Sequence, residues 1–194
     1  MRPLEARACL AQALARVGGA SSDFDLDGGG PARDLRPAAV LLAVDLSGER
    51  ASVILTKRAA HLHHHPGQIA LPGGKVDAGD ADAAACALRE AREEVGLTGA
   101  EVLGTLPPHE TITGFSVTPV LAVLREPFLL VPQEAEVAEA FRVPLSHLAD
   151  PGRYRVEGRL WGGRRRSYLV APWGPYYVWG ATARILHGLA LGMA

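Results

Sequence analysis

At 194 residues, 48% apolar and 21% charged, the chain is long enough for one globular domain with a sizeable core. Its 20 basic and 21 acidic residues leave a formal charge of -1, which rules out a general attraction to nucleic acid or anionic membrane; a small-molecule anion must be met by local groups. Cys9 and Cys86, without CxxC spacing, exclude a disulfide framework and a zinc knuckle and fit reduced thiols in a cytoplasm, and no apolar run approaches the roughly 20 residues of a membrane span.

In "MRPLEARACLAQALARVGG" Leu and Ala recur at helical spacing while Glu5, Arg7 and Arg16 interrupt the apolar portion. The pattern predicts an amphipathic helix and not a signal peptide. "GGASSDFDLDGGGPARDLRP" is rich in Gly, Asp and Ser and reads as a long loop or poorly ordered linker. Residues 1–35 are thus expected to be a helix and flexible loop, ahead of a main domain over 36–194. Ala38–Leu46 and Ala51–Arg58 are β-prone runs joined by a hairpin signal at Gly48, and the histidine-rich "HLHHHPGQIALPGG" follows.

"DADAAACALREAREEVGL" switches to helical periodicity, with Ala84, Leu88, Ala91 and Val95 on one face. Asp80 or Asp82 can cap its start, and Gly96 followed by Leu97 can close it. "EVLGTLPP", "SVTPVLAVL" and "RYRVEGRLWGGRRRSYLVAPW" read as strands with loops between them. "AEVAEAFRVPLSHLAD" contains a short helix and "VWGATARILHGLALGMA" a C-terminal one. Without a regular βαβ rhythm, the fold class is an α+β or α/β sandwich on a mixed sheet.

The predicted helix places Glu90 and Glu94 on one face, opposite the apolar stripe, with Glu93 beside them. Taken alone, these carboxylates fit a salt-bridged exposed helix, since Arg89 and Arg92 lie nearby. Their position points to chemistry instead. They follow "LPGGKVDAGD", a glycine turn whose backbone can approach a phosphate or offer a carbonyl to a hard cation. Clustered carboxylates suit Mg²⁺ or Mn²⁺, and the chemistry implied is metal-assisted hydrolysis of a phosphate linkage. A histidine metal site is the weaker reading. In an extended segment His63 and His65 share a side that His64 does not, and no third ligand has zinc spacing.

"REAREEVGL", Arg89 to Leu97, resembles the second half of the Nudix hydrolase box, G-x5-E-x7-R-E-U-x-E-E-x-G-U with U bulky and aliphatic, although Ala91 is small for U. In the first half, Gly74 is followed by Asp80 where the box has Glu, and the gap to Arg89 is one residue longer. That gap is similar to the coenzyme A pyrophosphatase branch, whose upstream signature resembles L-L-T-x-T-S/A-x3-R-x3-G-x3-F-P-G-G. "ILTKRAAHLHHHPGQIALPGG" meets it at Leu55-Thr56, Ala59, Gly67 and Pro72-Gly73-Gly74, and departs at Arg58, His63 and Leu71. "EVAEAFRVPLSHL" and "VWGATARIL" also look like that branch.

The resemblance implies a Nudix-type α-β-α sandwich with a mixed β-sheet. It implies Mg²⁺ or Mn²⁺ held by Glu90 and Glu94, with Glu93 and the Gly73 carbonyl as further ligands. Arg89 would hold the carboxylates in place through a bidentate pair. Glu93 and Glu136 are both candidates for the general base, Glu134 and Glu139 weaker ones; at a helix start Glu136 could equally be a solvated residue. The implied reaction is attack of cation-activated water on one phosphorus of a pyrophosphate. From coenzyme A it would give 4'-phosphopantetheine and adenosine 3',5'-bisphosphate.

On the substrate side the resemblance points to Thr56, His63, Gly67 and Gly74. Arg164, Arg165 and Arg166 are either contacts for the 3'-phosphate or an exposed loop, and Trp173, Tyr176 and Tyr177 either stack on adenine or pack in the core; Trp179 is expected to pack. His63 stands where the branch has Arg, so it would contact a phosphate only when protonated. Two alternatives stand beside this reading: a Nudix hydrolase of another nucleoside diphosphate derivative, such as ADP-ribose or a dinucleotide, and a non-catalytic Nudix-like binding module. The three neighbouring carboxylates weigh against the module. For the N-terminal helix, covering the site and mediating a homodimer both stay open.

Overall fold

The computed structural model describes residues 1–194, the side chain of Arg164 excepted. In chain order it runs α1 (Pro3–Arg16), β1 (Ser21–Ser22), a 3-10 turn (Asp25–Asp27), β2 (Arg36–Asp45), β3 (Ser52–Arg58), β4 (Ile69–Ala70), β5 (Gly73–Lys75) and α2 (Ala83–Val95). There follow β6 (Glu101–Thr105), β7 (His109–Glu110), β8 (Phe115–Leu124), β9 (Val137–Pro144), α3 (Leu145–Leu148), a second 3-10 turn (Pro151–Arg153), β10 (Arg155–Trp161), β11 (Arg164–Val170) and α4 (Gly180–Met193).

The spine of the mixed sheet is the parallel pair β2 and β8, in register from Arg36 and Phe115 to Asp45 and Leu124. A parallel pair needs cover on both faces, and the sequence supplies it by alternation. Ala39, Leu41 and Ala43 join Val120, Ala122 and Leu124 under α2. Leu42, Val44, Leu121 and Val123 point the other way, to a core shared with Ala6, Leu10 and Ala13 of α1 and Leu186 and Leu189 of α4. The result is the α-β-α sandwich. No helix among the described residues is long and apolar enough to cross a membrane.

Strands β2 and β3 are antiparallel but pair only at Val44 with Val53 and Asp45 with Ser52. They then part, and the segment after β3 fills the gap. In it β4 pairs with β3 at Thr56 and Lys57, and β5 pairs with β2 at Ala38 to Val40. The histidine loop and the glycine turn therefore lie in a split of the sheet, beside α2.

Helix α2 is capped at its start by Asp82, whose carboxylate accepts from Ala85 N–H at 2.8 Å, and at its end by Gly96 with φ 70°. The N–H of Leu97 reaches back to the Ala91 carbonyl at 3.2 Å, a Schellman closure. Ala87 and Ala91 face Ala39, Ala43 and Ala122 in one buried cluster. The small residue at the bulky position of the box is thus matched by small residues on the sheet.

Three expectations are corrected. Glu94 does not lie opposite the apolar stripe: it is 5% exposed, on the buried side with Ala91 and Val95, because its face of the helix looks into the split rather than into solvent. Residues 137–144 are strand β9 and the helix is confined to Leu145–Leu148, since β9 pairs along β3. Of the two readings for the Gly-, Asp- and Ser-rich stretch, the poorly ordered linker gives way to the long loop, which is anchored by side chains. Asp23 accepts from Ile112 N–H at 2.8 Å and meets His109 Nε2 at 3.1 Å, Asp25 meets Arg184 at 2.8 Å, and Arg33 pairs with Glu110 at 2.7 Å. The anchoring was not readable because the partners of these aspartates are distant in sequence. Helix α1 packs on α4, where Gly192 lets the backbone of Ala13 approach, on the face opposite α2. It therefore does not cover the carboxylates.

Candidate active site at the sheet split

Glu94 sits at the bottom of the split, its Oε2 accepting from Gly73 N–H at 3.1 Å. Burial, together with repulsion from Glu90 and Glu136, pushes its carboxyl up to about 7, against the pull of the Gly73 bond and of the Arg58 charge. Glu90, one helical turn earlier, lies against Gly74 so closely that a Cβ there would fall 2.5 Å from its carboxyl carbon. Its carboxyl is also raised by burial, though Arg89 opposes the shift. Gly73 is needed for another reason: a Cβ would meet the Ala39 carbonyl at 2.3 Å. Glu93 is exposed at the rim.

Arg89 holds the group together. Its Nε and Nη2 form a fork on Asp80 at 3.0 and 2.9 Å, its Nη1 donates to Glu90 at 2.9 Å, and Glu93 lies at 3.4 Å. The fork holds Asp80 well below the usual carboxylate range. Asp80, at the departure from the Glu of the box, is the anchor of the arginine. The signal for this pairing was present in the sequence as an acid nine residues before Arg89, but the loop that closes it was not readable.

The loop after β8 folds over the C-terminal end of α2, with Val131 N–H on the Val95 carbonyl at 3.0 Å and Gln133 N–H on the Glu94 carbonyl at 2.9 Å. This brings Glu136 to the end of β3, where its carbonyl accepts from Ala59 N–H at 2.8 Å, and its charge opposes those of Glu90 and Glu94. Glu136 precedes a strand and not a helix. Glu134 is exposed on the loop, and Glu139 accepts from the Tyr176 hydroxyl.

A cleft of about 960 Å³ opens beside the split, lined among others by Lys57, His63, His65, Arg159, Trp161 and Tyr177. Gly67, Tyr176 and Trp179 also face it. His61 turns away and donates to the Ala135 carbonyl at 3.0 Å. The histidine loop is tight: His65 has φ 54° and Gly67 φ 71°, and burial, then the Arg58 charge, lowers the His65 imidazole. Thr56 is buried, its hydroxyl on the Ala70 carbonyl at 3.3 Å. Trp173 packs on His147, and the Tyr176 ring stacks on Phe141 with centroids 3.6 Å apart.

The arginine run is strand, not loop, because Gly162 and Gly163 make the turn. Arg166 stacks over Phe24 at 5.1 Å and Arg165 is exposed; the side chain of Arg164 lies outside the described residues. Lys57, Arg159 and Trp161 are the cleft residues that sequence reading missed. The Gly-Gly turn would have paired Arg159 with Arg166 had the hairpin been registered.

Residues 34–160 match the NUDIX domain model, which spans the split, α2 and the strands around them. The chain belongs to the Nudix family. It is 42% identical over 158 residues to an uncharacterized Nudix hydrolase NudL of Enterobacter sp. (strain 638), covering 80% of this chain and 82% of that one. A NudL of Citrobacter koseri is similar to the same extent. Among solved structures, the Nudix hydrolase RenU of M. smegmatis shares 31% identity with TM-score 0.50, over 63% of this chain and 79% of that one. A MutT/nudix family protein of Enterococcus faecalis, 14% identical with TM-score 0.54 over 86% of this chain and 64% of that one, shares the fold.

A Nudix hydrolase calls for a divalent cation, and the donor set here suits one. Glu90, Glu94 and Glu136 repel one another, and a buried carboxylate whose ionisation is disfavoured gains most from a cation. Among the described residues no three His, Cys, Asp or Glu side chains converge on one ready-made position. Instead Glu90 is turned to Arg89, and Glu94 to Gly73 N–H.

Proposed function

We propose that this Nudix hydrolase cleaves the pyrophosphate of coenzyme A and its derivatives, giving 4'-phosphopantetheine and adenosine 3',5'-bisphosphate. The observation that carries the reading is a buried carboxylate pair, Glu90 and Glu94, against the glycine turn of a sheet split whose β4 segment, at Ile69, also lines a basic and aromatic cleft of about 960 Å³. That volume lies within the range of small-molecule sites. Lys57 and Arg159 offer charge to a phosphate, and Trp161, Tyr177 and Trp179 offer ring faces to a purine.

Glu90 and Glu94 would hold Mg²⁺ or Mn²⁺, with Glu93 and the Gly73 carbonyl at hand. Bound there, the cation neutralises phosphate charge and acidifies water. The chain's own residues do the positioning. Arg89, fixed by Asp80, keeps Glu90 aligned, and Gly73 N–H fixes Glu94. Glu136 or Glu93 takes the proton from the attacking water. His63, Gly67 and Gly74 border the substrate path, with Thr56 supporting it from below and Arg166, the cross-strand neighbour of Arg159, adding positive charge on the same face of the hairpin, while Arg165 lies on the other face over Gly158. Two free cysteines support a cytoplasmic location.

The test is a product screen by mass of coenzyme A, ADP-ribose, NADH and diadenosine polyphosphates with Mg²⁺ and with Mn²⁺. Coenzyme A is expected to be cleaved to the two named products. Cleavage of ADP-ribose with coenzyme A untouched would overturn the substrate and keep the chemistry. No turnover of any would favour a binding module.

A further inference from the structure

The hairpin of β10 and β11 stands outside the main sheet and leaves one strand edge bare. Its register runs without a bulge from Arg155 and Val170 to Trp161 and Arg164. The turn has φ 55° at Gly162 and 77° at Gly163, as a two-residue type I′ turn demands. The outer edge of β11 is occupied: Ser167 N–H donates to Asp27 at 3.1 Å, and Ala171 N–H, just beyond the strand, to the Val178 carbonyl at 2.8 Å. Strand β10 pairs with nothing but β11 among the described residues.

Natural edge strands are usually blunted by charged side chains, lysine above all, by proline or by a bulge. Strand β10 has no lysine, proline or bulge, and its three charges, Arg155, Glu157 and Arg159, are of mixed sign. Six of its seven residues are exposed, and they include Val156 at 59%, Leu160 at 75% and Trp161 at 61%.

The pair flanking a two-residue turn is hydrogen-bonded, and such pairs alternate along an antiparallel ladder. Trp161, Arg159, Glu157 and Arg155 therefore turn their backbone groups toward β11, while Leu160, Gly158 and Val156 turn theirs outward. An antiparallel copy related by a two-fold axis at Gly158 meets those outward groups. Gly158 is the midpoint of β10, so this register pairs the whole strand. Val156 then faces Leu160, Glu157 faces Arg159, and Arg155 faces Trp161, which are an aliphatic pair, an opposite-charge pair and a guanidinium against an indole. An axis at Val156 would instead set Arg159 against Arg153. An axis at Leu160 would run past the turn.

We propose that two copies of this chain join edge to edge along β10, about a two-fold axis at Gly158, into one four-stranded antiparallel sheet. Val156, Gly158 and Leu160 would each donate and accept a main-chain hydrogen bond across the axis, and the strand's charge pattern is complementary to itself. Arg159 and Trp161 line the cleft, so the partner's Arg155 would come beside Trp161 at its rim.

The experiment is sedimentation velocity of the full chain across roughly 1–100 µM, spanning the affinities that μM interfaces reach. The expected mass is twice 20.5 kDa. Glu157→Arg and Arg159→Glu should each give monomer, and the double swap should restore the dimer, which neither misfolding nor a general loss of surface charge would do. Gly158→Cys supplies an independent reading. The Cα atoms of a hydrogen-bonded antiparallel pair lie about 5.5 Å apart, inside disulfide reach. Oxidised Gly158→Cys should therefore run as a covalent dimer above the parent's background, Val156→Cys should not, and Val156→Cys with Leu160→Cys should. A monomer at every concentration, a dimer indifferent to both charge reversals, or no crosslink through position 158 would each overturn the proposal.

Discussion

Gly73 and Glu94 hold each other across the split in the sheet, the N–H of one on the carboxylate of the other at 3.1 Å. Gly74, next in the turn, is instead the floor beneath Glu90. The two glycines should respond differently to one methyl group. Gly73→Ala drives a Cβ into the Ala39 backbone, which cannot yield, and should lower stability by about 1–3 kcal/mol. Gly74→Ala pushes only the movable Glu90 carboxylate, so thermal melting should change less while turnover falls. Equal loss of melting temperature in both would refute this division.

Burial holds the Glu94 carboxyl at about 7 in the folded state, against about 4.3 in an unfolded chain. The folded value is the raised one. Its stabilising contribution is thus complete below pH 4.3 and is lost as pH rises through 7, a change on the order of 3 kcal/mol. Cation-free protein should melt lower at pH 8 than at pH 5, and Glu94→Gln should flatten that difference. Mg²⁺ should raise the melting temperature at pH 8 in the wild type and not in the variant. Turnover in Glu94→Gln should drop at least about 100-fold, the scale on which even outer partners of a metal site act. A wild-type melting curve with the same pH dependence as the variant's would remove Glu94 from this role.

Arg89 spends its fork on Asp80 and its remaining nitrogen on Glu90. Lysine keeps the charge but has no fork. Arg89→Lys should lose about 1.5–3 kcal/mol of stability, as hydrogen bonds to charged groups do, and lower kcat with little change in KM. Asp80→Asn should reproduce most of the kcat effect without touching the carboxylate face. Unchanged kcat in Asp80→Asn, measured under saturating substrate, would make Asp80 a loop residue only.

The cleft predicts a split between substrates. Lys57→Ala and Arg159→Ala should raise KM for coenzyme A by about 10-fold, one charge-assisted contact, and raise it less for the analogue lacking the 3'-phosphate. His63→Arg should lower KM at pH 8 more than at pH 6, because a guanidinium keeps the charge that an imidazole loses. Steady-state kinetics at both pH values decides. Equal effects on both analogues would move the 3'-phosphate elsewhere.

The carboxylates were legible because helical spacing is local: Glu90, Glu93 and Glu94 fall into place once the helix is recognised. Their burial was not. Whether Glu94 faces water or the sheet depends on the split between β2 and β3, which opens after only two residue pairs and leaves no mark on either strand's alternation. Gly73 and Gly74 were readable as a turn, while their separate duties depend on Ala39 and Glu90 reaching them from other elements. The cleft was the least legible part. Lys57 on β3 and Arg159 on β10 lie about a hundred residues apart and meet only because the hairpin swings over the histidine loop.

The split also makes aperture a matter of chain length. The segment between Arg58 and Gly73 lends β4 to one lip and the start of β5 to the other, so it works as a spacer that sets how far apart the lips stand. Adding or removing a residue there would not fray a surface loop. It would reset the distance between the helix carboxylates and the cleft, and with it the span from scissile bond to base that a substrate has to bridge.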